Sequence, residues 1–501
     1  MTSNLERIVQ QRLAKIESLR ARGVAPYPNR YQQTHSTQEA IALLRDEKDE
    51  KQAHSARGLR DSSPSATIAG RITARRKMGK IIFMDLHDSS GKIQLLFGEL
   101  LDTEHDKLLK EIDIGDIIGA SGRLFSTKTN EPTIAVSDFT LLAKSLRPLP
   151  EKWHGLNDID IRYRQRYLDL ISNPETKETF KVRSQVITAV RQFLNRQGFL
   201  EVETPVLQPS AGGAIARPFT THHHALDQDF YLRIATELHL KRLIIGGFDK
   251  VYEIGRIFRN EGISTRHNPE FTLLESYEAY ADYNDVMKMV EEMVSSIARQ
   301  VLETTEARFG DHTINLKSPW QRISLRDAIT EYSGIDFVKY PTADGLREKM
   351  RSMNVETDPE KNWAKLVDEL LSTFVEPKLI QPTFVLDYPV AMSPLAKKKP
   401  GEERVVERFQ AFTGGGIELA NAYSELNDPI EQRKRFEEQL KERQEEDKEK
   451  WTIDEDFLLA LEYGMPPTGG LGVGIDRLVM LLTNQLSIRE VILFPQLREK
   501  A

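Results

Sequence analysis

The sequence predicts an α+β protein in which a small five-stranded β-barrel precedes a larger domain of strands and helices. Three observations support this prediction. Five strand patterns separated by turns occupy residues 67–142, a long β-hairpin pattern occupies residues 253–283, and segments with helical apolar spacing lie on both sides of that hairpin. A chain of 501 residues is also too long for a single hydrophobic core, so we expect at least two domains.

The composition is that of an ordinary soluble globular protein, with 39% hydrophobic and 29% charged residues. No apolar run reaches the ~18 residues that a membrane span requires, and residues 1–20 lack the apolar core of a signal peptide. We therefore expect a cytoplasmic protein without a membrane partner. The sequence contains no cysteine, which excludes disulfides, thiol catalysis and cysteine-ligated zinc and leaves oxygen or histidine ligands for any metal.

Charge is distributed unevenly along the chain. The formal net charge is -7, but residues 1–80 contain 16 Lys and Arg against 8 Asp and Glu. The first part of the chain is therefore basic and the remainder is acidic. A basic end on an acidic body is compatible with local RNA binding, although an amphipathic arm without such a role gives the same pattern.

Residues 1–66 are predicted to form a helix followed by a linker. Apolar residues from Leu5 to Leu19 follow helical spacing, and Gly23 followed by two prolines ends the helix. Residues 45–66 are charged, rich in serine and poor in apolar side chains, which is typical of a linker.

The next predicted domain, residues 67–145, is a barrel. Five short strands with internal glycines favour a closed barrel of the OB type, a fold that binds single-stranded nucleic acid on one face. Residues 146–178, which contain Pro148 and Pro150, are predicted to connect the barrel to a large domain at residues 179–501.

The predicted hairpin gathers polar and aromatic side chains on one face. Alternation puts Arg259 with Glu261 on its first strand, Phe271, Leu273, Glu275 and Tyr277 on its second, and Arg266 and His267 in its loop. Such a face suits a ligand with a flat base, phosphates and a charged amine. The residues alone leave open a solvated sheet face with incidental ion pairs.

The segment FRNEGISTRHNPEF, residues 258–271, resembles the second signature motif of the class II aminoacyl-tRNA synthetases, in the form typical of lysyl-tRNA synthetases. The helix, strand and Pro205 of residues 182–205 resemble the first motif, and GGLGVGIDRLVML, residues 469–481, resembles the third. IELANAYSELNDP, residues 417–429, is similar to the same family. The resemblance covers nearly the whole chain, and it implies a catalytic domain built on an antiparallel sheet flanked by helices, together with a homodimer.

The resemblance implies activation of L-lysine with ATP to lysyl-adenylate and transfer of lysine to the 3′ end of tRNA(Lys), with release of AMP and pyrophosphate. It also implies Mg²⁺ as the cofactor, held on the ATP phosphates by Glu418 and Glu425. Arg259 and Arg477 would be the catalytic residues, and glycines 470, 472 and 474 would leave one strand face bare for the nucleotide. The residues implied for ATP binding are Arg259, Glu261, Arg266, His267, Phe271, Glu418 and Arg477.

The substrate's side-chain ammonium needs a carboxylate partner, because an unpaired buried charge is costly. By resemblance Glu237 is that partner, and Tyr277 and Tyr423 would enclose the aliphatic part of the substrate. The residues implied for lysine binding are Gly213, Glu237, Glu275, Tyr277, Asn421, Tyr423 and Glu425.

The barrel is implied to read the tRNA anticodon. The residues that match the family's pattern there are Arg76, Phe83, Gln94 and Glu131. Phe83 can stack on a base, and Gln94 and Glu131 can read base edges. A purely structural, core position for Phe83 is the alternative.

Three other kinds of protein share parts of this pattern. A synthetase for aspartate or asparagine would share the plan but call for a cationic pocket, and a ligase that attaches lysine to proteins would lack the barrel. An inactive RNA-binding module is expected to lose Arg259, Glu418, Glu425 or Arg477, and all four are present. The adjacent histidines His222–His224 suggest a metal site, but adjacent side chains diverge, so we expect one to pack and the others to be exposed.

Overall fold

The structure of the chain is a computed structural model, which describes residues 4–46, 59, 63–98, 101–150, 156–210, 212–213, 216–446 and 453–499. Most of the predicted linker at 45–66 lies outside the described residues. The chain divides into two units, Met1–Asn157 and Asp158–Ala501. The boundary between the units lies within the predicted connector.

The first unit contains a barrel of five strands, which are β1 (Ser65–Met78), β2 (Ile81–His87), β3 (Lys92–Phe97), β4 (Ile117–Ser126) and β5 (Pro132–Ala143). They close in the order β1-β2-β3-β5-β4. The first half of β1 pairs with β4 and the second half with β2, and a bulge between Ile72 and Ala74 bends β1 near the point where the two ladders meet. Because one long strand serves both edges, the sheet closes, and the predicted barrel is confirmed.

The described helices of this unit are α1 (Asn4–Ala21), α2 (Thr37–Asp46) and α3 (Thr103–Glu111). The predicted N-terminal helix is confirmed as α1, and it ends before Gly23, whose φ of +73° suits glycine. The sequence analysis did not predict α3. Asp102 caps it by accepting hydrogen bonds from two backbone N–H groups, and Leu108 and Leu109 join the core of the barrel.

The second unit is built on a main sheet, whose described strands are β6 (Leu200–Glu201), β10 (Lys250–Phe258), β11 (Glu270–Ala279), β14 (Gln321–Ser324), β15 (Thr383–Pro389), β16 (Lys398–Lys399), β17 (Glu402–Thr413), β18 (Ile417–Ser424) and β19 (Thr468–Gly474). The order is β14-β15-β17-β18-β19-β11-β10-β6, with β16 beside β17. The strands from β15 to β10 are antiparallel, as predicted, whereas the outer pairs β14–β15 and β6–β10 are parallel.

Two smaller sheets of this unit contain β7 (Leu207–Gln208), β8 (Thr220–His223) and β9 (Gln228–Leu232) in one, and β12 (Glu306–Phe309) and β13 (His312–Asn315) in the other. The described α-helices are α4 (Ile159–Arg164), α5 (Arg166–Ser172), α6 (Pro174–Arg196), α7 (Glu237–Ile245), α8 (Tyr283–Leu302), α9 (Leu325–Ser333), α10 (Ala343–Ser352), α11 (Trp363–Leu370), α12 (Pro429–Glu446), α13 (Glu455–Glu462), α14 (Ile475–Leu482) and α15 (Ile488–Val491). None of the described helices combines the length and the apolar composition needed to cross a membrane.

Helices α6, α8 and α14 cover one face of the main sheet. Val190, Val290 and Leu478 of these helices pack with Leu274 and Leu471 of the sheet in one core. Since strand side chains alternate, the neighbours of Leu274 in β11 face the opposite side. That opposite side is available for a ligand site.

The predicted hairpin is confirmed as β10 and β11, but its first strand is shorter than predicted. β10 ends at Phe258, so Arg259 and Glu261 lie in the connecting loop rather than on a strand face. The backbone N–H of Arg259 still bonds to Pro269 O at 2.8 Å, whereas the N–H of Asn260 bonds to Arg217 O at 2.8 Å. The chain leaves the ladder at Asn260 because it pairs there with another segment.

Candidate active site

A cavity of about 480 Å³ lies against the open face of the main sheet. The predicted alternation of β11 is confirmed, since Phe271, Leu273, Glu275 and Tyr277 line this cavity while Leu274 is in the core. The structure brings all the site residues predicted for this unit into one cavity, which are Gly213, Glu237, Arg259, Glu261, Arg266, His267, Phe271, Glu275, Tyr277, Glu418, Asn421, Tyr423, Glu425 and Arg477.

One part of the cavity is acidic and lined by tyrosines. Glu237 is the first residue of α7, where the helix dipole favours a negative charge, and its side chain is buried. Its Oε1 lies 2.6 Å from Lys241 Nζ, and its Oε2 accepts a hydrogen bond from the Tyr423 hydroxyl at 2.8 Å. Both oxygens of this buried carboxylate are therefore satisfied.

Glu425 is the second carboxylate of this part and follows directly after β18. It is buried, and its Oε2 forms an ion pair with Lys241. Its Oε1 lies against Gly470, where a Cβ would collide with it, and has no hydrogen-bond partner among the described residues. The glycine at position 470 therefore makes room for a carboxylate that presents an unused acceptor.

Glu275, in the middle of β11, is the third buried carboxylate. Its Oε1 accepts a hydrogen bond from the backbone N–H of Thr236 at 3.3 Å, and its Oε2 accepts one from the Tyr277 hydroxyl at 3.4 Å. Burial, with a contribution from Glu237, raises the pKa of Glu275 to about 7. Glu275 therefore changes its charge near neutral pH.

The other end of the cavity is formed by arginines and by the loop between β10 and β11. The Arg259 guanidinium carbon lies 5.2 Å from the centre of the Phe271 ring. Arg266 donates a hydrogen bond to Gly416 O at 2.9 Å, and its side chain, like that of His267, is exposed at the cavity mouth. His267 is exposed as a whole, but the cavity partly encloses its imidazole, and this desolvation together with the charge of Arg477 lowers its pKa, so the imidazole is neutral at pH 7.

Glu418 and Arg477 form a pair at this end, with Arg477 Nη1 3.0 Å from Glu418 Oε2. The side-chain amide of Gln410, on the neighbouring strand β17, donates to Glu418 Oε1 at 2.9 Å. Burial raises the pKa of Glu418, but Arg477 and Gln410 outweigh it and lower that pKa overall. Glu418 is therefore ionised at neutral pH.

The two glutamates that were predicted to hold Mg²⁺ lie in different parts of the cavity, Glu418 beside Arg477 and Glu425 beside Lys241. Glu418 and Glu425 stand at opposite ends of β18, seven positions apart, so roughly 23 Å separate their Cα atoms at ~3.3 Å per residue. One ion cannot contact both carboxylates. Glu425 instead faces Lys241 in the acidic part of the cavity.

The cavity lies within the region that matches a known family. The sequence profile described as "tRNA synthetases class II (D, K and N)" matches residues 158–498. The chain belongs to the class II tRNA synthetases. The profile of the "OB-fold nucleic acid binding domain" matches residues 66–142, which agrees with the barrel and its predicted type.

Similar full-length proteins carry the name lysine–tRNA ligase. One from Dehalococcoides mccartyi is 59% identical over 98% of this chain and 97% of its own length. Proteins from Moorella thermoacetica and Roseiflexus castenholzii are 53% and 51% identical, over 98% and 99% of this chain and 97% and 99% of their own. The likeness to these proteins covers both units of this class II synthetase.

In the barrel of this synthetase, the four predicted anticodon residues lie on one face. Arg76 and Phe83 are cross-strand partners, and Asp85, two residues after Phe83, is the partner of Gln94. Phe83 is half-buried against a small apolar cluster, so it keeps a partly open ring. Glu131 precedes β5 and pairs with Lys92 at 2.8 Å. Gln94 is more enclosed, and its Oε1 accepts a hydrogen bond from Thr133.

Sequence reasoning missed two cations of this site, Lys241, which is buried behind the cavity wall, and Arg408, which is partly buried and lines the cavity. Lys241 lies four residues after Glu237 on one helix, and this spacing could have indicated the pair. Arg408 of β17 donates to Asn421 Oδ1 at 2.9 Å and to Met392 O at 2.8 Å. No local signal indicates Arg408, because its contacts depend on the register between strands.

The expectation for the histidine triplet is corrected, because all three side chains are exposed on β8 and the turn after it. His222 lies between Asp229 and Asp227, at 2.8 Å and 3.4 Å, and its ring is 5.3 Å from that of His224. Within the described ranges, no group of three His, Cys, Asp or Glu is placed to hold a metal ion.

Proposed function

We propose that this chain is a lysine–tRNA ligase, which activates L-lysine with ATP to lysyl-adenylate and transfers lysine to the 3′ end of tRNA(Lys), releasing AMP and pyrophosphate. The observation that carries the proposal is the acidic, tyrosine-lined part of the cavity. Glu237, Glu275 and Glu425 are buried there around a single protein ammonium group. The names of the full-length relatives agree with this function.

The same part of the cavity disfavours aspartate and asparagine as substrates. Aspartate would place its side-chain carboxylate next to Glu237, Glu275 and Glu425, which already have too few positively charged partners. Like charges in a buried site repel strongly. The Lys241 ammonium is committed to Glu237 and Glu425. The substrate of this site is therefore a cation, and a lysine side chain supplies it.

For the activation step, the lysine carboxylate attacks the α-phosphate of ATP in line and pyrophosphate leaves. Such a displacement requires positioning and charge stabilisation rather than a protein nucleophile. Arg259 would bridge the carboxylate and the α-phosphate, where negative charge grows in the transition state. Phe271 would stack on the adenine and Glu261 would accept from its amino group.

The outer phosphates of ATP would be held by Arg477 and by the exposed loop residues Arg266 and His267. Because the imidazole of His267 is neutral at pH 7, it would contribute a hydrogen bond rather than a positive charge. Arg266 and His267 are exposed at the cavity mouth, where they can contact the phosphates of ATP as it binds.

The amino-acid part of the substrate would be bound by groups along β11 and β18. Glu275 and the Gly213 backbone would take the α-amino group and Asn421 the carboxylate, with Arg408 fixing the Asn421 side chain. Tyr277 and Tyr423 would enclose the methylene chain, and Glu237 and Glu425 would take the side-chain ammonium.

We propose Mg²⁺ as the cofactor that accompanies ATP, with Glu418 as its protein ligand. Glu418 fits this role, because Mg²⁺ binds through one or two carboxylates together with phosphate oxygens and water, and this carboxylate is ionised beside the arginines of the phosphate end. The ion would neutralise charge on the phosphates. We assign Glu425 to the amino-acid pocket instead, because it lies at the other end of β18 and pairs with Lys241.

We propose tRNA(Lys) and a second copy of the chain as the remaining partners. The barrel face with Arg76 and Phe83 would read the anticodon of tRNA(Lys). A homodimer would form through α6 and β6, where Leu200 of β6 and the nearby Leu207 of β7 are about half exposed. A cytoplasmic location stays a prediction from the sequence.

The test of the proposed function is aminoacylation of total tRNA with labelled lysine, aspartate or asparagine in the presence of ATP and Mg²⁺. Charging with lysine alone is expected. Charging with aspartate or asparagine would contradict the substrate, and charging with none of the three would contradict the function.

A further inference from the structure

Lys241 lies directly behind the acidic part of the cavity wall, against Glu237 and Glu425, and the proposed reaction gives it no role. Its side chain is fully buried. Its ammonium lies 2.6 Å from Glu237 Oε1, forms an ion pair with Glu425 Oε2, and is 5.8 Å from the centre of the Tyr423 ring. A buried ammonium held between two carboxylates leaves one negative charge uncompensated.

The hydrogen bonds indicate that the uncompensated negative charge lies on Glu425. Both oxygens of Glu237 are satisfied, by Lys241 and by the Tyr423 hydroxyl. Oε1 of Glu425 is wholly buried, borders the cavity and has no partner among the described residues. Burial, together with Glu237 and Glu275, raises the pKa of Glu425 despite the nearby ammonium. One protein cation is therefore too few for this cluster.

The other titratable groups that face Lys241 do not supply the missing charge. Glu275 is acidic and bonds to Thr236 and Tyr277 instead. Burial, followed by the charge of Glu237, raises the pKa values of Tyr277 and Tyr423 well above 10, so both phenols stay neutral. The cluster is complete only when a second cation enters the cavity.

We propose that Lys241 is a positioning residue that sets the charge balance of the amino-acid pocket, so that Glu237 and Glu425 hold one ammonium group from the protein and one from the substrate. This inference rests on the proposed function. It makes the pocket selective for a single additional cation, and it assigns the unused oxygen of Glu425 to the side-chain ammonium of the substrate.

The charge balance predicts that Lys241→Met partly restores the lysine binding that is lost in Glu425→Gln. Glu425→Gln leaves Glu237 already neutralised by Lys241, so the substrate ammonium enters without a counter-charge. We expect the KM for lysine in ATP–pyrophosphate exchange to rise about 100-fold, because a buried charge loses its partner. Adding Lys241→Met frees Glu237 for the substrate, and the double variant is expected to have a KM at least about tenfold lower than Glu425→Gln alone.

If Lys241 had only a structural role, the double variant would have a KM for lysine as high as that of Glu425→Gln or higher, because removing a second buried group disturbs the pocket further. A double variant as impaired as Glu425→Gln, or more so, would therefore overturn the inference. The matched control is Lys250→Met combined with Glu425→Gln. Lys250 is also paired with a glutamate at 2.6 Å, Glu278, but it does not line the cavity, so the control is expected to keep the KM of Glu425→Gln.

Failure of this inference is distinguishable from failure of the proposed function. If the unmodified protein shows no lysine-dependent exchange, the function is wrong. If it does and the rescue is missing, only the role of Lys241 is wrong. Should the Met variant fail to fold, Lys241→Gln with Glu425→Gln has the same charge and the same expected rescue.

Discussion

At the scale of single residues, the third-motif glycines have different tasks, although the sequence shows them as one alternation. A Cβ at Gly470 would collide with the Glu425 carboxylate, whereas a Cβ at Gly472 would meet only Asn421 O, at 3.7 Å. The sequence predicted a bare strand face for the nucleotide. The structure adds that position 470 accommodates an acidic side chain of the amino-acid pocket.

These two glycines give a paired prediction. Gly470→Ala is expected to displace Glu425 and raise the KM for lysine about tenfold or more, with a smaller effect on ATP, because overpacking a tight contact costs ~1–3 kcal/mol. Gly472→Ala is expected to affect mainly the KM for ATP. ATP–pyrophosphate exchange measures both constants, and identical changes in the two variants would contradict the assignment.

Glu275 gives a prediction about pH. Its pKa is raised to about 7, so it is protonated below that pH and ionised above it. Since the ionised form would bind the α-amino group of the substrate, the KM for lysine is expected to rise as the pH falls from 8 to 6. Glu275→Gln should have a higher KM at pH 8 and lose this pH dependence. An unchanged profile in that variant would contradict the role of Glu275.

At the scale of elements, Asp476 links three of them beside the cavity. Asp476 belongs to the first turn of α14. Its Oδ1 lies 2.6 Å from Nη1 of Arg183 in α6, and its Oδ2 accepts a hydrogen bond from the backbone N–H of Thr272 in β11 at 2.7 Å. Asp476 is buried, so the pair is shielded from water. This link holds Arg477, the next residue, in its place.

We predict that Asp476→Ala destabilises the protein by about 3 kcal/mol, because it removes the carboxylate that neutralises Arg183 and leaves the backbone N–H of Thr272 without its acceptor. Thermal unfolding of the unmodified protein and of Asp476→Ala measures this loss of stability. Glu403→Ala is the control, since Glu403 forms an exposed pair with Lys398, and exposed pairs contribute ~0–1 kcal/mol. Equal stability of both variants would contradict the role of Asp476 as a link.

The elements also show what sequence patterns could predict and what they could not. Period-two alternation predicted the face of β11 that lines the cavity, because alternation is a local property of a strand. The end of β10 depends on the pairing of Asn260 with Arg217, a contact between distant segments. Arg408 was missed for the same reason, whereas Lys241 was within reach of the i,i+4 rule. The sequence could not show that Glu418 and Glu425 lie in different parts of the cavity, because a residue list carries no distance along β18.

At the scale of the whole molecule, the two units divide the proposed work. The five strand patterns were sufficient to predict the barrel, because each strand has its own turn signals. The catalytic unit was predicted mainly through its resemblance to a family, since the order of its strands cannot be read from periodicity. Pairing of β18 with both β17 and β19 brings residues more than 50 positions apart into one site.

This division gives a prediction for the barrel. Phe83→Ala is expected to raise the KM for tRNA about tenfold, because stacking of a base on an aromatic ring contributes ~1–3 kcal/mol. ATP–pyrophosphate exchange should be unchanged. Phe97→Leu, in the barrel core, is the control for lost stability and is expected to leave the KM for tRNA unchanged. Loss of exchange in Phe83→Ala would contradict the separation of the two tasks.

The central claim is that the cavity activates lysine and recognises its side-chain ammonium through the buried carboxylates of Glu237 and Glu425. Exchange of labelled pyrophosphate into ATP without tRNA, with each of the twenty amino acids, tests this claim in the unmodified protein and in Glu237→Gln. We expect exchange with lysine alone, and in the variant a KM for lysine raised about 100-fold with an unchanged KM for ATP, because Glu425 alone then remains for the ammonium groups of Lys241 and the substrate. Exchange with another amino acid, or an equal loss for lysine and ATP, would contradict the claim.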